Sequence, residues 1–269
     1  MNAQNLSSEN AGTVVRFSVL DHVATIELNR PERRNALSVA ANTRLHALWD
    51  EIDRNTSIRA VVLTSADCGT FCAGMDLKEA AELHQSTGKD ILRLLADPFY
   101  ERMREVRVPI IAAMTGHFAA AGMVLAANAD LRVALAGTSG GITEARVGRG
   151  TPWAAPMTAM LPQAVLMEMI VAAGMVPVER LYALGFVNAV EPTPDAVRAR
   201  ARAYARMIAG NAPLSVVAGK AGILASVELG AKAGYAASKA MHEAVYASED
   251  AQEGPRAFTE RRPPRWTGR

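Results

Sequence analysis

Two stretches of this chain combine residue types that could stabilise a negative charge. The first is Phe71, Cys72, Ala73, Gly74, Met75 and Asp76, which follows the apolar run Ala60 to Leu63. The second is Thr115 to Gly122, TGHFAAAG, which follows the apolar run Ile110 to Met114. A buried strand that breaks into a turn of small residues leaves backbone N–H groups without partners, and such groups can face a developing oxyanion. The same small residues also build ordinary tight turns. One junction alone says little, whereas two in one chain offer a pair of donors.

The elements that must hold these turns are legible as an α/β pattern. Val14 to Leu20 and Val23 to Leu28 are β-rich runs separated by Asp21 and His22, which predicts a hairpin. Ser38 can cap a helix over Val39 to Arg54, where Leu45, Leu48 and Ile52 share one face. Ala60 to Thr64, Ile110 to Met114 and Leu131 to Ala134 are short apolar strands separated by helical stretches, the alternation of stacked ββα or βα units. Between Asp76 and Val108 lies a polar, mixed helical region with breaks at Ser86 to Gly88 and at Asp97–Pro98. Thr193, Pro194 and Asp195 start a helix that Gly210 stops, and two further helical stretches follow, Leu214 to Leu229 and about Ala233 to Ala247. A boundary near residue 195 would divide the chain into a core, 1–195, and a helical region, 196–269.

Bulk properties narrow the function classes. The 269 residues suffice for a sizeable core, and with 50% apolar but only 5% aromatic residues that core must be built from Ala, Val, Leu, Ile and Met. A formal charge of +2, evenly spread, argues against nucleic acid. Local clusters at Arg30, Arg33 and Arg34 and at Arg261, Arg262 and Arg265 could meet phosphate groups of a soluble ligand, or could be solvated surface. Cys68 and Cys72 lack a second ligand pair, so neither a metal site nor a disulfide framework is expected, and both are read as buried small residues. No apolar stretch is long enough to cross a bilayer, and Met1 to Thr13 is polar, with Glu9 and no Arg, unlike a targeting segment. A soluble cytoplasmic protein with a frayed start is the expectation. No GxGxxG follows a strand and no GxxxxGK[ST] occurs, so no redox or nucleotide cofactor is implied.

Taken in order, NRPERRNALS (29–38), FCAGMDLKE (71–79), MTGHFAAAG (114–122), the strand ending at Asp130, TEARVG (143–148) and the tail FTERRPPRWTGR (258–269) resemble the crotonase, or enoyl-CoA hydratase/isomerase, superfamily over nearly the whole chain. The resemblance implies a crotonase-like spiral of ββα units with a helical C-terminal trimerisation part, assembling as a homotrimer or a dimer of trimers. It implies an acyl-CoA substrate whose thioester carbonyl sits between two backbone amides, here those of Ala73 and Ala121. Ala121 stands where relatives usually carry Gly, and a backbone needing positive φ there would be strained. Of the two glutamates that hydratases of the family use, one position falls on Val124, which cannot move a proton, and the other on Glu144.

A lone glutamate beside an oxyanion hole can still shuttle a proton between carbons, so the resemblance slightly favours isomerisation. Hydration with one glutamate is the alternative, and a CoA-ester-binding oligomer that has lost catalysis is a third reading. A carboxylate working near neutral pH needs its pKa raised by apolar burial, to which Val124 would contribute. For the CoA moiety the resemblance points to Arg33, Arg34 and Ala36, to Gly74, Met75 and Asp76 along the thioester arm, and to Phe258 and Arg261, the last two often from a neighbouring subunit. Leu83, Leu94, Leu95, Phe99 and Tyr100 are pocket-wall candidates or ordinary core. Trp153 walls the pocket or fills the core, and His117 assists or is structural.

Overall fold

The computed structural model describes residues 13–269, and the polar stretch ahead of Thr13 lies outside them. The chain opens with β1 (Val15–Leu20) and β2 (Val23–Leu28), an antiparallel hairpin whose turn residues Asp21 and His22 take φ of 48° and 67°. Two successive positive φ values match the twist of the flanking strands. Helix α1 (Val39–Arg54) starts where Ser38 Oγ accepts the Ala41 amide at 3.1 Å, and its Leu45, Leu48 and Ile52 are fully buried. Each such side chain removed from water contributes about 2 kcal/mol.

The middle of the chain repeats one device: a long strand ends in a short turn that feeds a second, shorter strand. β3 (Ala60–Ser65) leads into β4 (Thr70–Cys72), after which α2 (Leu77–Thr87) and α3 (Glu101–Glu105) intervene. β5 (Ile110–Met114) leads into β6 (His117–Ala119) and α4 (Ala121–Asn128), and β7 (Leu131–Leu135) leads into β8 (Ser139–Gly141). Then come α5 (Gln163–Ile170), β9 (Met175–Pro177), α6 (Val178–Ala183) and β10 (Ala189–Glu191). The long members form a six-stranded sheet in the order β1-β2-β3-β5-β7-β10, parallel from β2 onward, while the short members form a four-stranded sheet, β4-β6-β8-β9. The chain therefore crosses between the sheets at 66–69 and 115–116, and the small-residue turns at Ala73–Met75 and Ala120–Gly122 follow the short strands.

The large sheet is buried on both faces. Val61, Leu63, Ile110, Ala112 and Met114 join the main core with α1 and α4, while Ala60, Val62, Ile111 and Ala113 face the other way. That second face is covered by α7 (Pro194–Ala209), whose Val197, Ala201, Ala205 and Ala209 belong to the same cluster. α7, which begins at the expected boundary near residue 195, is packed on the sheet itself, because small residues every four positions let it lie close on the strands. The helical extension starts later, with α8 (Pro213–Leu229), α9 (Ala231–Tyr246) and α10 (Glu249–Thr259). α8 and α9 pair so closely that a Cβ at Gly234 would lie 2.3 Å from the Ser226 Cα. No single helix among the described residues is long and apolar enough to cross a membrane.

Candidate active site

Where β4 and β6 end side by side, their following residues meet. A Cβ added at Gly74 would sit 2.8 Å from the Ala120 Cβ, 3.3 Å from the Ala119 carbonyl oxygen and 3.6 Å from the Ala121 nitrogen. Gly74 has φ of 105°, so both its backbone shape and its close neighbours exclude a side chain. The strain anticipated at Ala121 falls one residue earlier. Ala120 takes φ 51° and ψ −118°, while Ala121 is the first residue of α4. The Ala121 amide belongs to the first turn, where no intrahelical acceptor exists, and Ala120 provides no side-chain cap.

The Ala73 amide, expected as the other donor, already has a partner. The Ala73 N–H donates to the Arg34 carbonyl at 3.1 Å, which removes it from service. Leu37 bridges the same segment, its amide donating to the Gly74 carbonyl and its carbonyl accepting from Asp76. Between these bonds the Met75 amide is left without an acceptor among the described residues. Residue types alone could not separate Ala73 from Met75, because the choice depends on which amide the 34–37 segment takes.

Met75, Ala121 and Glu144 line one cavity of about 320 Å³. Its walls include Leu92, Leu95, Pro98, Phe99 and Tyr100 from the segment after α2, Val124 from α4, and Trp153. Leu95, Phe99, Tyr100 and Trp153 are where the sequence suggested, whereas Leu83 and Leu94 are absent from the lining and Leu92 replaces them. Polar ties hold this wall in place. Asn42 Nδ2 donates to the Asp97 carbonyl at 2.7 Å, Asp97 carboxyl oxygens accept the Glu101 and Arg102 amides at 3.0 Å, and Asn128 Nδ2 donates to the Tyr100 carbonyl at 2.9 Å.

Glu144 begins a short 3-10 turn (Glu144–Val147) and is half-buried. Its Oε2 is buried with no hydrogen-bond partner among the described residues. Burial pushes the carboxyl above the ordinary glutamate range, against weaker pulls from its own backbone, the Trp153 indole and the Thr143 backbone. Val124, 3% exposed, supplies the apolar neighbour that such a shift requires. A carboxyl raised in this way is a stronger base when ionised, and it can take and return a proton.

The remaining candidates lie elsewhere or have other work. Asp76 is buried, caps α2 by accepting the Lys78 and Glu79 amides at 3.2 Å, and pairs with Arg30 at 2.8 Å. Its carboxylate is thus occupied by the fold, and so is Arg30, whose second contact is the Ala36 carbonyl at 2.6 Å. Arg33 and Arg34 are exposed on the turn before α1, Ala36 is buried, and none of the three lines the cavity. Phe258, 86% exposed, and Arg261 sit at the end of α10, also outside the cavity. His117 is exposed, and its Nδ1 accepts the Ser139 amide at 3.0 Å, which is a structural role. Of the cysteines, Cys72 is buried, with its thiol pushed up to about 12 by desolvation, but Cys68 is exposed, contrary to expectation. Composition carried no signal for Arg146 and Arg149, both of which line the cavity.

Residues 19–269 match the profile of the family described as enoyl-CoA hydratase/isomerase. The chain belongs to the enoyl-CoA hydratase/isomerase family. It is 33% identical over 256 residues to the (E)-benzylidenesuccinyl-CoA hydratase of Thauera aromatica, covering 94% of this chain and 99% of that one. It is 29% identical over 287 residues to the mitochondrial methylglutaconyl-CoA hydratase of Mus musculus, covering all of this chain and 83% of that protein. The crystal structure of an enoyl-CoA hydratase from Mycobacterium tuberculosis H37Rv superposes with a TM-score of 0.84 at 34% identity, covering 96% of this chain and 100% of that one. The two-sheet core and C-terminal helices are therefore the crotonase fold, and this member of the enoyl-CoA hydratase/isomerase family is an acyl-CoA enzyme.

Proposed function

We propose that this enzyme adds water across the double bond of a 2-enoyl-CoA thioester, with Glu144 as its single acid/base residue. The observation that carries the reading is the half-buried Glu144 carboxyl, one oxygen unpartnered, in the same cavity as the Met75 and Ala121 amides. The thioester oxygen accepts from those two amides. The Glu144 carboxylate takes a proton from water as the water oxygen bonds to C3, and the C2–C3 π electrons move to give the thioester enolate. The enolate then collapses as C2 takes the proton from Glu144. One water is added and the carboxylate is regenerated. Each amide donor stabilises the enolate by roughly 3 to 4 kcal/mol.

The hydratase names of the relatives support water addition over the isomerisation that a lone carboxylate suggested. Isomerisation of a 3-enoyl-CoA, with Glu144 moving a proton from C2 to C4, is the second reading, and Val124 in place of a second carboxylate is what favours it. The CoA moiety is assigned to Arg33, Arg34, the backbone of Ala36 and Gly74, and to Phe258 and Arg261 of a neighbouring copy, because forked guanidinium donors suit phosphates. Neither reaction draws on a cofactor, since the CoA thioester is the substrate. The assembly proposed is a homotrimer or dimer of trimers, and the location cytoplasmic.

Incubation with 2-enoyl-CoA and 3-enoyl-CoA esters in heavy-oxygen water, and separately in D2O, tests the proposal by mass spectrometry. Heavy oxygen in the product is expected. Deuterium incorporation with double-bond movement alone would replace hydration by isomerisation, and unchanged esters despite binding would leave a non-catalytic CoA-ester protein.

A further inference from the structure

The acyl cavity is apolar along Leu92, Leu95 and Phe99, but two arginines, Arg146 and Arg149, also line it. They do not have equal freedom. Arg149 Nη1 is paired with the Asp90 carboxylate, which ties the turn after Glu144 to the wall segment and neutralises that charge. Arg146 is exposed and has no carboxylate partner among the described residues, and its one side-chain hydrogen bond runs from Nη2 to the Ala173 carbonyl at 2.5 Å. A guanidinium carries five N–H donors in a planar fork, so Arg146 retains the donors that a carboxylate would take. A wholly aliphatic acyl chain would gain nothing from a cation in this lining, whereas an anionic terminus would gain charge-assisted hydrogen bonds.

From this arrangement, and resting on the acyl-CoA reading above, we infer that the acyl group carries a second, free carboxylate and that Arg146 recognises it. The substrate class is then the CoA monothioester of an unsaturated dicarboxylic acid. Arg146 determines specificity and takes no part in proton transfer. Arg149, held by Asp90, keeps the Arg146 turn against the cavity wall.

The test compares a 2-enoyl-CoA bearing a terminal carboxylate with its methyl ester, in wild type, Arg146→Gln and Arg146→Lys. The wild type is expected to prefer the carboxylate by tenfold or more in kcat/KM, mostly through KM, and Arg146→Gln should reduce that ratio at least tenfold. Arg146→Lys, which keeps the charge but loses the fork, should retain an intermediate preference. Equal losses on both esters would overturn the inference, assigning Arg146 to a CoA phosphate or to the Ala173 contact alone. Glutaryl-CoA and its methyl ester, which cannot be hydrated, give a second readout by calorimetric binding. Tighter binding of the acid without turnover of any enoyl ester would sink the hydratase reading alone, whereas equal binding of the pair would sink the inference alone.

Discussion

Gly74 and Ala120 lie so close that a methyl group on the glycine would stand 2.8 Å from the alanine's own Cβ. This contact brings the Met75 and Ala121 amides into one cavity. Gly74→Ala is expected to abolish turnover and to destabilise the fold, because φ of 105° and the Ala120 contact both oppose a side chain. The converse substitution has the opposite sign. Ala120→Gly relieves a backbone with φ 51° and ψ −118°, and should stabilise the protein by about 1 kcal/mol, measurable as a raised Tm. A lowered Tm for Ala120→Gly would contradict the strain assigned to that residue.

Glu144→Gln should lower kcat by roughly 10² to 10⁴ while leaving CoA-ester affinity within a few-fold of wild type. Because burial raises the carboxyl, the active carboxylate accumulates only as pH rises above the ordinary glutamate range. The acidic limb of the kcat profile is therefore expected above about pH 4.3, the unperturbed glutamate value. The linkage has the opposite sense for stability. A raised folded pKa favours folding below the unfolded value, and that advantage is lost as pH rises through the folded value. Glu144→Gln should consequently melt no lower than wild type on the alkaline side, and a clear drop in Tm there would show a structural role for the charge.

Asp76 and Arg30 form a largely buried pair at 2.8 Å, and the aspartate also caps α2. Burial alone would raise the Asp76 carboxyl, but the Arg30 guanidinium and the Glu79 amide outweigh it and hold the group below the usual range. Asp76→Ala removes the cap and strands a cation, at a cost of about 3 kcal/mol in a denaturant melt. Since the folded pKa is depressed, the stabilisation is complete above about pH 4 and is lost as pH falls through the folded value. Melts of the two proteins should converge at the acidic end, and a constant gap down to that end would exclude the ion pair as its origin.

The paired helices α8 and α9 leave apolar side chains in water. Ile223 is 69% exposed, Tyr235 65% and Tyr246 75%. Ile223→Asp should convert the proposed trimer into smaller species in light scattering, with a fall of at least tenfold in activity if Phe258 and Arg261 act across the interface. A monomeric wild type would remove the basis of that assignment.

Much of the frame was legible in the chain. The β1–β2 hairpin, the Ser38 cap of α1, the long strands and the Gly210 stop follow from local chemistry: turn residues, a capping hydroxyl and runs of β-branched side chains act within a few residues of themselves. The two small-residue junctions were legible for the same reason, whereas Glu144 was legible only through the resemblance of TEARVG to the family's motif. The short strands β4, β6, β8 and β9 were not, because strands of three residues carry too little periodicity and exist only through pairing across the chain. α7 read as the start of a separate helical part, because the face on which an alanine-rich helix docks is decided by the sheet beneath it. Whether Ala73 or Met75 offers its amide depended on a bond to Arg34, 39 residues earlier in the numbering, which local residue types do not encode. The sequence by itself thus determined the family, the long strands and the candidate glutamate. Only the tertiary structure decided which amides stay free and which arginines line the cavity, because hydrogen-bond partners and cavity walls are assembled from segments far apart along the chain.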